Sequence, residues 1–99
     1  MKSLLKTLTE TYAPSGYEDA VRKIIQKEVK PFADEIRVDA MGSLIVRKRP
    51  TVAAQNSKRI MLAAHMDEIG VIVSHVDKNG FVRFASNGGV FGRYTLGAR

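Results

Sequence analysis

The sequence predicts an α/β fold, and three observations lead to this prediction. Two amphipathic segments with helical spacing open the chain, and strand-like segments rich in apolar residues follow them. Beyond Ile69 the character changes, because only short alternating segments joined by tight-turn residues remain. Helices that accompany strands in the first part, followed by a strand-only part, indicate a layered α/β unit leading into a small β unit.

The helices are bounded by recognisable start and stop residues. Leucines at helical spacing predict a first helix over residues 3–12, which ends before Pro14 because the residue preceding a proline disfavours helical backbone. Ser15 and Glu18 have the spacing of a capping box, in which the two side chains bind amides at a new helix start. The second helix is therefore predicted from this box to Lys30, where Pro31 closes it.

Several strands are predicted after the helices. Glu35–Asp39 alternates polar and apolar residues, Met41 and Gly42 form a turn, and Ser43–Lys48 completes a hairpin. The apolar residues are contiguous in 44–46 and again in Arg59–Ala64, which is typical of strands covered on both faces.

The segment after Ile69 is predicted to form a second hairpin followed by an additional strand. Residues 69–76 and 81–85 are strand-like, and residues 77–80 give a hairpin turn signal. Asn87, Gly88 and Gly89 mark a loop, and residues 94–96 are predicted to begin another strand.

Length and composition restrict the class of protein. The 99 residues suit one small domain or part of a larger one, with 44% hydrophobic and 26% charged residues, as in globular proteins. The apolar stretches are far shorter than the ~20 residues of a spanning helix, and no apolar block of signal-peptide length follows Met1. With no cysteine in the sequence, we expect a cytoplasmic protein without membrane association.

The net charge of +6 raises the question of a polyanionic partner. Basic residues cluster in Arg47–Arg49 and at Lys58 and Arg59, on either side of a polar connection. These runs contain no aromatic residue that could stack on a base, and no helix carries a recognition pattern, which argues against nucleic acid. Solvated strand ends are the simpler explanation of the charge.

The segment from Leu62 to Gly70 points most specifically to a functional site. In it, His65 and Asp67 are two positions apart. At the end of an extended segment both side chains project to one side, so the carboxylate can orient the imidazole as a metal ligand. Glu68 would point to the opposite face, and we exclude it from catalysis. Zinc requires three or four protein ligands, and the only other histidine is His75, predicted to be structural or exposed.

Four blocks of this sequence resemble, in order and spacing, the start of the tetrahedral metallo-aminopeptidases, a family also described as glutamyl or deblocking aminopeptidases and sometimes labelled endoglucanase or cellulase. The blocks are residues 13–18, 39–45, 64–70 and the late Gly88 and Gly89. The resemblance extends over essentially the whole chain, and the block containing His65 and Asp67 is its most specific part.

The resemblance implies a function and a site. His65 matches the first metal ligand of the family, and Asp67 matches the carboxylate that supports it. The family binds two divalent ions, zinc or cobalt, which activate a water and polarise the scissile peptide bond while a glutamate moves protons. The remaining ligands and that glutamate lie beyond residue 99 in the family, so we expect the 99 residues alone to be inactive.

The resemblance also implies an organisation. Residues 1–69 would be the N-terminal portion of an α/β/α-sandwich metallopeptidase domain, and residues 70–99 the start of an inserted β domain. In the family this inserted domain forms dimer contacts within a homo-oligomer of twelve subunits that hydrolyses peptides.

A different hypothesis is a non-catalytic binding or assembly module, in which the basic loop from Arg47 to Arg59 contacts an acidic partner or nucleic acid. Cellulase activity is discounted, because the sequence has no tryptophan and no evident carboxylate pair for glycoside hydrolysis.

Overall fold

The computed structural model describes residues 1–52 and 58–97. Helix α1 comprises Lys2–Glu10 and α2 comprises Asp19–Val29, with a 3-10 turn over Lys30–Phe32. Strands β1 (Glu35–Val38) and β2 (Leu44–Arg47) follow, then β3 (Gly70–Val76), β4 (Val82–Asn87) and a short helix α3 (Gly92–Thr95). This mixture of helices and strands confirms the α/β class.

Both predicted hairpins form, each as an antiparallel two-stranded sheet. In β1–β2, Ile36 pairs with Val46 and Val38 with Leu44. In β3–β4, Gly70 pairs with Asn87 and Val76 with Val82, and the register shifts between Val73 and His75.

An aspartate closes each hairpin turn in the same way. The Asp39 carboxylate accepts the amide N–H groups of Met41 and Ser43 at 3.0 and 2.9 Å, and Asp77 accepts those of Asn79 and Phe81 at 2.8 and 2.9 Å. Side-chain oxygens that bind backbone donors further along the chain stabilise turns locally. The turns therefore carry their own stabilising interactions, independent of any sheet around them.

The first turn is also attached to helix α2. Arg22 forms an ion pair with Asp19 and donates from Nη1 to the main-chain oxygen of Gly42 at 2.7 Å. Gly42 has φ +85°, and an added Cβ there would lie 2.8 Å from Arg22 Nη1. Glycine thus satisfies both the left-handed backbone and the close approach of the arginine.

Two sequence predictions about strands are wrong. Residues 59–64 form no strand, and Ile60, Met61 and Leu62 are 86–93% exposed. A strand exists only through hydrogen bonds to a neighbour, and none of β1–β4 pairs with this segment. Residues 94–96 likewise form no strand, because the backbone turns into α3, where Thr95 Oγ1 donates to the Gly92 oxygen at 2.8 Å.

The second helix begins later than predicted, and the capping box does not form. The helix starts at Asp19, and neither Ser15 nor Glu18 caps its amides. Instead, the Glu18 carboxylate accepts the Gly16 N–H at 2.6 Å, and Ser15 binds a residue 52 positions away. A long-range partner has displaced the local one.

The described residues bury very little of their apolar surface. Of the described residues only Ala13 and Val21 are buried, whereas Val71, Ile72 and Val73 are each about half exposed. Because successive strand residues face opposite sides, both faces of β3–β4 are uncovered. The expected burial of residues 44–46 on both faces is also incorrect, since Val46 is 41% exposed. The radius of gyration is 18.9 Å, against about 13 Å for a compact domain of this length.

The first hairpin should respond to acid. The Ser43 N–H, followed by that of Met41, holds the pKa of Asp39 below its usual range. Because the folded pKa is lowered, the carboxylate stabilises the turn above about pH 4 and this contribution is lost as pH falls through the lowered value. In NMR titrations of the 99-residue chain, the chemical shift of the Ser43 amide should change with a midpoint below about pH 3.9, the ordinary pKa of an aspartate.

Asp39→Asn is the control, because asparagine keeps an oxygen acceptor but does not titrate in this range. The Ser43 amide shift should then lose its acid transition. A midpoint at or above the ordinary value in the unsubstituted chain contradicts the assignment.

Candidate metal centre

His65 and Asp67 lie at the end of the irregular segment 58–67, shortly before β3 begins at Gly70. At Glu68 the chain makes an isolated parallel bridge with Pro14, which joins the motif to the segment between α1 and α2. The motif is therefore held by a partner near the N-terminus, and the predicted strand before it plays no part.

The structure brings His65 and Asp67 into direct contact. His65 Nδ1 lies 2.9 Å from Asp67 Oδ1 and 3.1 Å from the Asp67 main-chain oxygen. Both partners are acceptors, so Nδ1 carries the hydrogen, and in the neutral ring Nε2 has the lone pair. The arrangement presents Nε2 as the nitrogen able to bind a metal.

Solvent access to the two side chains differs. The His65 side chain is 82% exposed, whereas that of Asp67 is 34% exposed. The imidazole is thus accessible to a metal ion from solvent, while the carboxylate that orients it is partly covered.

The second oxygen of Asp67 has a partner that the sequence analysis missed. Ser15 Oγ donates to Asp67 Oδ2, so the carboxylate connects Ser15 and His65 through its two oxygens. The Ser15 hydroxyl, and after it His65, hold the pKa of Asp67 below its usual range. Sequence reasoning assigned Ser15 to a local cap, and no local signal marked a contact across 52 positions.

Glu68 fixes the same pair of segments. The Ala13 N–H donates to Glu68 Oε1 at 2.9 Å, and the Glu68 N–H donates to the Ala13 oxygen at 2.9 Å. Glu68 therefore binds main chain through both its side chain and its own N–H. Ala13 is only 2% exposed, so this attachment involves one of the two buried apolar residues of the described chain.

A cleft of about 240 Å³ opens beside the motif. Its walls are Glu18, the turn residues 41–44 and residues 64–67. The Arg22–Gly42 contact places the first hairpin turn on one side of this cleft. The space beside the histidine is thus formed by three segments that are distant in sequence.

The donor set fits one ligand of a metal site. Within residues 1–52 and 58–97, no three histidine, cysteine or acidic side chains are grouped as metal ligands. His75 is exposed on β3, opposite Arg83. An imidazole oriented through Nδ1 by a carboxylate has the chemistry of a single metal ligand.

The basic cluster is partly neutralised by acidic neighbours. Lys48 Nζ lies 3.4 Å from Asp34 Oδ2, and an Arg47 nitrogen lies 3.7 Å from Glu35 Oε2. The Arg49 N–H and then the Lys48 ammonium hold the pKa of Asp34 below its usual range. These pairs weaken the case for an acidic partner. Residues 53–57 of the predicted loop lie outside the described residues.

No helix in the described part of the chain has the length and apolar character needed to cross a membrane.

Comparison with known proteins points to one family. A sequence model described as M42 glutamyl aminopeptidase matches residues 42–99. A putative aminopeptidase from Acetivibrio thermocellus is 44% identical over 99 residues, which are 100% of this chain and 28% of that protein.

Solved structures agree with the sequence comparison. An aminopeptidase from the archaeon Desulfurococcus kamchatkensis has a TM-score of 0.79 and 40% identity, over 92% of this chain and 24% of that one. The structure of PhTET1-12s, a dodecamer in the asymmetric unit, has a TM-score of 0.72 and 38% identity, over 92% and 26% of the two chains. The chain thus spans about a quarter of the length of the proteins that it matches.

The Ala13–Glu68 attachment can be tested by substitution. Removing a charged acceptor from a main-chain N–H costs about 1–2 kcal/mol locally, so Glu68→Ala should speed amide exchange in residues 13–18 by about 5- to 30-fold. Hydrogen-exchange mass spectrometry measures this, and Glu68→Gln, which keeps an oxygen acceptor, should exchange almost as the original does.

Glu28→Ala, on the exposed surface of α2, is the matched control and should leave residues 13–18 unchanged. Unchanged exchange in Glu68→Ala would show that the carboxylate does not hold this segment.

Proposed function

Because the chain belongs to the M42 glutamyl aminopeptidase family, we propose that it is the N-terminal part of a dinuclear metal-dependent aminopeptidase that removes N-terminal residues from peptides. The observation that carries the proposal is the 2.9 Å contact between His65 Nδ1 and Asp67 Oδ1, which leaves Nε2 available on an exposed ring. The family is metal-dependent, and this is the geometry of an oriented metal ligand.

In this proposal each motif residue has one role. His65 supplies Nε2 as a ligand, and Asp67 accepts the Nδ1 hydrogen, fixing the tautomer and the ring orientation. The chemistry that a pair of zinc or cobalt ions supplies in such a site is polarisation of the scissile carbonyl and activation of water. Asp67 is a positioning residue, because its oxygens are bound to His65 and Ser15.

The division of the chain forms part of the proposal. Residues 1–69 would belong to the metallopeptidase domain, and residues 70–99 would begin an inserted β domain. The change from mixed elements to a hairpin with both faces uncovered supports this division. Large apolar side chains at the surface, such as Ile60 and Leu62, support burial against further parts of a longer protein.

The assembly and location are also proposed. The dodecameric relative and the uncovered hairpin favour a homo-oligomer, in which β3–β4 takes part in contacts between subunits. A cysteine-free sequence suits a reducing compartment, and we propose the cytoplasm.

The proposal is tested on the protein encoded by the full reading frame that contains these residues. With zinc or cobalt it should hydrolyse aminoacyl p-nitroanilides, and a chelator should abolish this activity. His65→Ala should remove a ligand, lowering kcat/KM by about 100-fold or more and reducing the bound metal measured by atomic emission.

His75→Ala is the matched control, since this histidine lies exposed on β3 and should leave both measurements unchanged. Full metal content together with full activity in His65→Ala would exclude the ligand role. A reading frame that encodes no further histidine and acidic ligands after residue 99 would instead favour a non-catalytic module.

The 99-residue chain by itself should be inactive and should bind metal weakly, because its described residues provide no group of three ligands. Isothermal titration with cobalt or zinc, together with a peptidase assay, measures both properties. Stoichiometric binding accompanied by hydrolysis would contradict this expectation.

A further inference from the structure

Asp67 is held by a second side chain, Ser15, which has no role of its own in the proposed function. Its Oδ1 faces His65 Nδ1 at 2.9 Å, and its Oδ2 accepts the Ser15 hydroxyl. A carboxylate has two oxygens, and each is used by a different side chain. Rotation of the carboxylate therefore breaks both hydrogen bonds together.

The backbone around Ser15 is anchored on both sides. Ala13, which is buried, is bound through its N–H and its carbonyl to Glu68. On the other side, the Tyr17 N–H donates to the Pro14 oxygen at 2.8 Å, and the Gly16 N–H donates to Glu18 at 2.6 Å. The Ser15 hydroxyl thus approaches Asp67 from a turn that is fixed by main-chain contacts.

The turn requires a residue that adopts positive φ directly after the serine. Gly16 has φ +88°, a conformation that side chains other than glycine rarely adopt. This conformation lets the chain turn after Ser15, so that the hydroxyl faces the motif while the following residues enter α2.

The imidazole depends on this support because little else restrains it. The His65 side chain is 82% exposed, and both of its hydrogen bonds within the described residues run from Nδ1 to Asp67. If the Asp67 carboxylate moves, the His65 ring loses a hydrogen bond that fixes its orientation.

We propose that Ser15 is a positioning residue for the metal centre, acting through Asp67 to hold the His65 imidazole with Nε2 toward the metal. The proposal rests on the ligand role of His65 given above. It assigns the segment between the two helices a function in metal binding, although that segment supplies no ligand.

The test measures metal affinity in the full-length protein, by competition with a chromophoric chelator for cobalt or zinc. Ser15→Ala should weaken binding by about 10-fold, at the lower end of the range for groups that support metal ligands. The cobalt absorption spectrum should change as well, because the ligand geometry changes. Ser15→Thr, which keeps the hydroxyl, should restore affinity to within about threefold of the original.

Ser74→Ala is the matched control. Its hydroxyl also makes one hydrogen bond, to the Arg83 oxygen at 3.2 Å, but it lies on β3 and should not affect metal binding. If Ser15→Ala does not fold, Ser15→Thr and Ser15→Val form a pair of equal size that differs only in the hydroxyl. The threonine variant should then bind metal more tightly than the valine variant.

A double-substitution cycle identifies the route of the effect. In an Asp67→Ala background, Ser15→Ala should cause no further loss, because the hydroxyl acts through that carboxylate. An additional 10-fold loss there overturns the positioning role.

The two proposals fail in different ways. If Ser15→Ala binds metal as the original protein does while His65→Ala loses it, the Ser15 proposal is wrong and the ligand proposal stands. If His65→Ala binds metal normally, the ligand proposal is wrong, and the role of Ser15 is overturned with it.

Discussion

The arrangement of the candidate site depends on the carboxylate of Asp67. It accepts the Ser15 hydroxyl on one oxygen and faces His65 Nδ1 with the other, so one side chain joins two segments that are 52 residues apart. The neighbouring Glu68 holds the same segments through Ala13, with hydrogen bonds in both directions. Asp67 therefore orients the His65 ring, and the adjacent Glu68 holds the two segments together. A change in either residue should alter the orientation of the imidazole.

The described residues form these contacts around Asp67 without a substantial hydrophobic core. Apart from Ala13 and Val21, the described apolar side chains are partly or largely exposed, and the hairpin β3–β4 is uncovered on both faces. The turns and the Ser15–Asp67–His65 contacts rest on hydrogen bonds between neighbouring groups. The turn hydrogen bonds can form locally, whereas the Ser15–Asp67 contact joins segments 52 positions apart. The apolar side chains of Ile60–Leu62 and of β3 are left exposed.

The sequence predicted the features whose causes are local. Asp39 and Asp77 each bind amides within four residues, so the hairpins were visible as turn signals. The contact between His65 and Asp67 was predicted from their spacing at the end of an extended segment, and it forms although residues 59–64 make no strand. Ser15 was assigned to a cap because its nearest candidate partner was Glu18, and nothing nearby indicated Asp67. The strand at 59–64 was predicted from an apolar run that indicates burial, but strand formation needs a partner that such a run does not specify.

The most direct test of the account is an experimental structure of the full-length protein with zinc or cobalt bound, in which the metal positions are located by anomalous scattering. We expect His65 Nε2 at about 2.0–2.1 Å from a metal ion. His65 Nδ1 should donate to Asp67 Oδ1, and the Ser15 hydroxyl should donate to Asp67 Oδ2. Metal ions bound without His65, or ligated through its Nδ1 with Asp67 turned away, would contradict it.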